Sequence, residues 1–390
     1  MQTYKILVLD AAQRSALAVV RSLGQKAVLN VYTAEASTQA LAGSSRYSQA
    51  FFSCPSSTYA PTEFLAWLEQ LQEQESFDLI IPVTEITSQL LLMHQSELRN
   101  IQIPFAPYEK VMALADKHQL LIQAEASGVP IPTYHWHQNT STIQPEKLNY
   151  PCVIKPCLSR IFSEGRWLST TVRVLHSAAD WQDALRKDHY LQQFPFMIQE
   201  FIPGSGAGIF ALYNQGRPVA FFAHKRLREK PPQGGVSVLS ESIEINPLLK
   251  TYTEQLLDHV GWHGVAMIEF RITPDGKPYL MEINTRFWGS LQLAIDSGID
   301  FPYWLTEISL GLPITAADEY RKGQRLRWLL GDLDSLYLVL KSSNSIWCKM
   351  RSILLFIIPS FNTRHEINRW RDIKPAIFEL KHYILQLMGR

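Results

Sequence analysis

The chain has 390 residues, of which 46% are hydrophobic and 19% charged, and its formal net charge is +1. That length exceeds one ordinary core and fits two to four domains of roughly 100–200 residues each, while the composition excludes a disordered or fibrous chain. The near-neutral total hides an asymmetry, with 24 Lys and Arg against 31 Asp and Glu in residues 1–320 but 13 against 5 in residues 321–390, so the basic tail is a separate electrostatic object. Cys54, Cys152, Cys157 and Cys348 show no CxxC spacing and read as reduced packing residues. The opening MQTYKILVLD enters a strand without a basic region and long apolar stretch, so a cytoplasmic protein is expected.

The first hundred residues alternate strand and helix. KILVLD is a short apolar run, AAQRSALAVVRSLG has helical spacing ending at Gly24, AVLNVYTA is a second strand, and FDLIIPVT precedes a helix containing ITSQLLLMHQ. This is the βαβ pattern of an open parallel sheet. Its first turn, DAAQRSA, lacks the glycines that let a backbone approach a dinucleotide pyrophosphate, so no nicotinamide site is expected there. ADKHQLLIQAEASGVPIP reads as a helix stopped at Gly128 with Pro130 and Pro132 beyond it. YPCVIKP is a strand carrying Lys155. CLSRIFSEGRW follows as a flexible loop, LSTTVRVL as a strand, and a helix starts near Ala178. FPFMIQEFIPG is a further strand, and GIFALYNQGRPVAFFAH a hairpin turning at Asn214 to Gly216.

VAMIEFRITPDGKPYLMEIN carries the most chemistry. With Asp275 and Gly276 as a two-residue loop, Glu269 stands directly across from Glu282. Alternation then places Ala266, Ile268, Phe270, Ile272, Tyr279, Met281 and Ile283 on one face, and Met267, Glu269, Arg271, Leu280, Glu282 and Asn284 on the other. A longer Pro-Asp-Gly loop with a bulge would slip the register and oppose Glu269 with Met281, which the sorted pattern disfavours. Facing carboxylates repel unless neutralised. Two carboxylates with the Asn284 amide form an all-oxygen set that favours magnesium or manganese over zinc; the alternative is a solvated face on which Arg271 pairs with one carboxylate.

Six ordered motifs, ADK at 115–117, VIKP at 153–156, QEFIPG at 199–204, HKRLREKPPQGG at 224–235, AMIEF at 266–270 and MEINTRFWG at 281–289, resemble those of the ATP-grasp superfamily of carboxylate-activating ligases over about residues 1–315. The resemblance implies mixed α/β and α+β architecture: a Rossmann-like pre-ATP-grasp domain (1–107), a linker helix and small subdomain (108–195), a large catalytic subdomain (196–320) and a basic helical extension (321–390). It implies that Lys117 and Lys155 contact ATP phosphates, with a loop around Ser159, Ser163 and Gly165 closing over them. Glu200, Phe201 and Ile202 would hold adenine as the hinge. Glu269, Glu282 and Asn284 would hold magnesium, and Arg286, catalytic together with Lys155, would face the transferred phosphoryl group. His224, Arg226 and Arg271 are candidates for recognising the substrate. The chain departs from many relatives in GSGAG at 204–208, where an acidic residue usually meets the ribose, and in Asn284-Thr285-Arg286 for Asn-Pro-Arg.

The expected activity is ATP-dependent joining of a small carboxylate to an amine through an acyl phosphate. Two alternatives stay open, a bicarbonate-using carboxylase and a non-catalytic nucleotide-binding regulatory module. Nucleic acid is not an expected partner, and a homo-oligomer is allowed. In the tail, SIWCKMRSILLFIIPSF sets Lys349 and Arg351 before an apolar run, interrupted by Pro359, that is too short to span a bilayer. It reads either as a packed appendage with a basic face or as a segment that meets anionic lipid or an acidic partner.

Overall fold

The computed structural model describes residues 2–98, 100–317, 319–358 and 362–389. Pro359 lies outside the described residues. The chain forms two compact units, one from Met1–Pro104, Val219–Ile245 and Phe287–Arg390, the other from Phe105–Pro218 and Asn246–Arg286.

The first unit contains the expected parallel sheet, ordered Phe51–Ser53, Leu29–Glu35, Tyr4–Val8 and Leu79–Ile81, with Tyr4 opposite Leu29 and Ile6 opposite Leu79. Ile6, Leu7 and Val8 are all buried, as a parallel strand covered on both faces requires. The helix Arg14–Leu23 ends at Gly24, where a Cβ would run into Tyr47.

The basic tail belongs to this same unit. Besides the helices Leu329–Lys341, Ile346–Ile357 and Lys374–Leu387, it supplies the strand Arg325–Arg327, antiparallel to Val236–Ser242 and parallel to Thr363–His365. Much of its charge is used internally. Arg327 and Arg369 reach Asp332 and Asp296 at 2.6 Å each, and Arg325 pairs with Glu241. In the other direction Arg21, on the first helix, is buried against the tail, donating to Asp372 at 2.8 Å and to the carbonyls of Glu366 and Ile367 at 2.7 and 2.8 Å.

The second unit holds a sheet ordered Tyr134–His137, Phe196–Glu200, Cys152–Pro156 and Arg173–Leu175. Cys152 and Ile154 point into a core with Trp181 of the helix Ala178–Lys187 and with Phe196 and Ile198. The residue that alternates with them, Lys155, therefore points to the opposite face. The expected flexible loop after this strand is instead a hairpin, Arg160–Ser163 paired with Arg166–Ser169. Glu164 and Gly165 turn it with φ of 51° and 73°, the positive pair that a tight two-residue hairpin needs. LSTTVRVL is correspondingly split between that hairpin and the short strand Arg173–Leu175.

The strands Ser205–Asn214, Gly264–Ile272 and Pro278–Asn284 form an antiparallel ladder in the same unit. Its last hairpin departs from the simple register near the turn. Thr273 and Lys277 close a three-residue loop, Pro274-Asp275-Gly276, with Gly276 at φ 87° and a Thr273 N–H to Lys277 carbonyl bond of 2.9 Å. Ile272 thus faces Pro278, Arg271 faces Tyr279 and Phe270 faces Leu280, one residue slipped from the two-residue expectation. A bulge at Met281 then absorbs the slip, and Glu269 faces Glu282 and Met267 faces Asn284 as expected. Between loop and bulge the faces are exchanged: Leu280 joins buried Phe270, and Tyr279 joins Arg271.

Candidate active site

Lys117 opens the helix Lys117–Ala126, whose cap is Asp116; that carboxylate accepts from the N–H groups of His118 and Gln119 at 2.8 and 3.0 Å. The Lys117 N–H donates to the Cys157 carbonyl at 2.7 Å, fastening the helix start to the end of the Lys155 strand. Both lysines are buried, at 5% and 9% exposure, which excludes ordinary solvated lysines. Lys117 Nζ donates to Ser159 Oγ at 2.8 Å and lies 3.9 Å from Glu282. Lys155 Nζ lies 3.8 Å from Met281 Sδ, so the residue that restores the register also touches the ammonium.

Charge converges on Lys155. Burial lowers its pKa to about 8; Glu282 and Glu269 oppose that shift, while Lys117 and Arg271 add to it. Five charged groups therefore share this face, three cationic and two anionic, an arrangement complementary to a further anion. The face is not a solvated exterior, since Glu269 and Glu282 are half-buried and directly opposed. Asn284 Oδ1 accepts from Arg286 at 3.2 Å, which brings the guanidinium to the same strand end.

Among the described residues, no three His, Cys, Asp or Glu side chains gather as a metal cluster. A cation at the hairpin would rest on two carboxylates, one amide oxygen and oxygens of its ligand. That donor set fits a hard ion such as magnesium, which keeps few protein ligands when it also binds phosphates.

The remaining candidates fall in different places. The strand Phe196–Glu200 stops at Glu200, whose N–H donates to the Thr133 carbonyl at 2.9 Å, and Phe201 and Ile202 lie beyond it. The Arg271 guanidinium sits 6.0 Å from the Phe201 ring centre. Ser163 and Gly165 occupy the turn end of the hairpin, and Ser159 its base beside Lys117. His224 and Arg226 belong to the first unit. His224 is no cation there: burial, aided by Arg226, pushes its pKa down to about 3, and its Nε2 lies 2.8 Å from Ser290 Oγ. Arg226 pairs with Glu229 at 3.2 Å.

Two residues escaped the sequence reading. Gly206 and Gly208 stand opposite Arg271 and Glu269 in the ladder, and a Cβ at Gly206 would meet nothing within 4 Å. Directly opposed positions share a face, so the glycines leave room beside the charged groups. The signal lies in GSGAG itself, where Gly206 and Gly208 are spaced to face one side of a strand.

Residues 192–331 match the family profile described as "ATP-grasp in the biosynthetic pathway with Ter operon". A comparison with curated proteins found no match. Among solved structures, the L-amino acid ligase of Bacillus licheniformis aligns with TM-score 0.61 at 16% identity over 83% of this chain and 79% of its own. Biotin carboxylase of Campylobacter jejuni aligns with TM-score 0.64 at 16% identity over 83% and 74%. N5-carboxyaminoimidazole synthetase of Staphylococcus aureus aligns with TM-score 0.62 at 13% identity over 83% and 82%.

Proposed function

The chain has the ATP-grasp fold, and from that premise we propose that it is an ATP-dependent ligase that activates a small carboxylate as an acyl phosphate and joins it to an amine. The supporting observation is the opposed pair Glu269 and Glu282 beside two buried lysines, Lys117 and Lys155. A carboxylate oxygen attacks the γ-phosphorus of ATP and ADP leaves. The amine nitrogen then attacks the acyl carbon, expelling phosphate and losing a proton. Activation is required because phosphate leaves far more readily than oxide.

Phosphoryl transfer asks the protein for position and positive charge. Lys117 and Lys155 supply charge to the phosphates, and Arg286 offers a planar fork to the transferred group. Ser159, Ser163 and Gly165 lie on the hairpin that would cover the phosphates and exclude water from the acyl phosphate. Glu200, Phe201 and Ile202 would hold adenine. Glu269, Glu282 and Asn284 would hold magnesium or manganese, which when bound neutralises charge on the phosphate oxygens. Arg271 is the candidate for meeting the substrate in this unit, and His224, in neutral form, and Arg226 are separate candidates in the other unit. The domain division at 107, 195 and 320 and a cytoplasmic setting belong to the same proposal.

The test is ADP release with pooled carboxylates and amines. Full magnesium-dependent turnover in Glu282→Ala would sink the metal assignment. A second reading has bicarbonate as the carboxylate, and the likeness to two carboxylating enzymes favours it; bicarbonate-stimulated ADP release without an amine would establish it. Tight ATP binding with no turnover on any substrate would instead indicate a regulatory module.

A further inference from the structure

The helix Ile346–Ile357 is folded with its apolar stripe facing away from the body of its unit. Its least exposed residues are Lys349, Ser352 and Phe356, one face at helical spacing, and Phe356 lies against Arg327, whose guanidinium is 4.2 Å from the ring centre. Outward stand Ile346, Trp347, Met350, Ile353, Leu354 and Ile357, with Trp347 77%, Ile357 68% and Leu354 58% exposed. At about 100° per residue these six fall within an arc of about 120°, the width by which a surface helix normally buries itself in a core. Lys349 and Arg351 flank that arc on its two sides. The adjoining helix Leu329–Lys341 adds exposed Leu333, Tyr337, Leu338 and Leu340.

Charge identifies what covers the stripe. Residues 341–390 contain three acids, Glu366, Asp372 and Glu379. The first two are buried, and the third accepts from the Trp328 indole at 2.6 Å. Among the described residues no carboxylate pairs with Lys349 or Arg351. A second copy docking face to face would bring like charges together. An anionic lipid surface would accept the apolar stripe and let the two cations reach its headgroups along their aliphatic stems. No helix among the described residues is long and apolar enough to cross a membrane.

We propose that the helix Ile346–Ile357 lies in the interface of an anionic lipid bilayer and holds the protein at that surface. This rests on the tail alone and is independent of the ligase reading. The test is co-sedimentation of the full-length protein with vesicles of phosphatidylcholine, alone or mixed with an equal part of phosphatidylglycerol, at low and high salt. Binding is expected to the mixed vesicles only and to weaken as salt rises. Trp347→Ser combined with Leu354→Ser should reduce it by about tenfold or more, and Lys349→Glu with Arg351→Glu should abolish the preference for anionic lipid. Circular dichroism melting checks that these substitutions leave the fold intact. Absence of binding, or equal binding to neutral vesicles, overturns the proposal. So does a dimer, seen by light scattering, that Trp347→Ser with Leu354→Ser dissociates, since the occupant would then be a second copy.

Discussion

Lys155→Met should make the protein more stable and less active. Burial lowers the Lys155 pKa from 10.5 to about 8, with the raising, opposing effects of Glu282 and Glu269 already included. At roughly 1.4 kcal/mol per pKa unit, keeping this ammonium in the folded protein at pH 7 costs about 3 kcal/mol relative to the unfolded chain. The folded pKa lies below the unfolded one, so the unfolded chain binds the extra proton between them. The cost is therefore complete below about pH 8 and is relieved as pH rises to the unfolded value of 10.5. Methionine fills a similar volume without charge. Urea titrations should show the variant stabilised by up to about 3 kcal/mol at pH 7, with the advantage shrinking by pH 10. ADP release should fall on the order of 100-fold, the scale of losing one charged contact to a transferring group. A variant that is less stable at pH 7, with a difference that does not change with pH, would refute the electrostatic account. Turnover within a few-fold of the parent would refute the phosphate role.

The same lysine sets a pH limb. Apparent ATP affinity of the parent should weaken as pH rises through about 8, where the empty protein loses the Lys155 proton, and Lys155→Arg should flatten that limb in a binding titration. Gly204→Ala places a Cβ against the Ile272 carbonyl at φ 126°, so the urea midpoint should drop by a few kcal/mol equivalent, about 2 or more. Gly208→Val, which adds bulk opposite Glu269, should lower ADP release while changing stability by less than about 1 kcal/mol. Asp372→Ala leaves the buried Arg21 guanidinium uncompensated and should cost about 3–5 kcal/mol, with earlier proteolysis of residues 341–390 as a second readout.

Where local pattern governs, the sequence was legible. The βαβ run, the helix stopped at Gly128 and the Lys155 strand each announce themselves through periodicity and stop signals within a few residues. The facing of Glu269 and Glu282 was also readable, though by a different route: the loop holds three residues, and the bulge at Met281 compensates. Two offsetting irregularities are invisible to alternation because the far end of the hairpin keeps its parity. CLSRIFSEGRW reads as a loop because its strands are short and polar, and only the positive φ of Glu164 and Gly165 makes them a hairpin. The apolar run after Lys349 and Arg351 was legible, but not that Ile346–Ile357 forms a helix whose apolar stripe faces outward.

By itself the sequence determined most of the strands and helices and that Glu269, Arg271, Glu282 and Asn284 share a face of their hairpin, because strand and helix periods are local properties of the chain. Tertiary structure alone decided that Lys117 and Lys155 are buried beside Glu282, that His224 is neutral, and that Arg21 closes the tail against the first helix. Burial and charge state depend on neighbours supplied by distant segments, 351 residues apart for Arg21 and Asp372, and no local period records them.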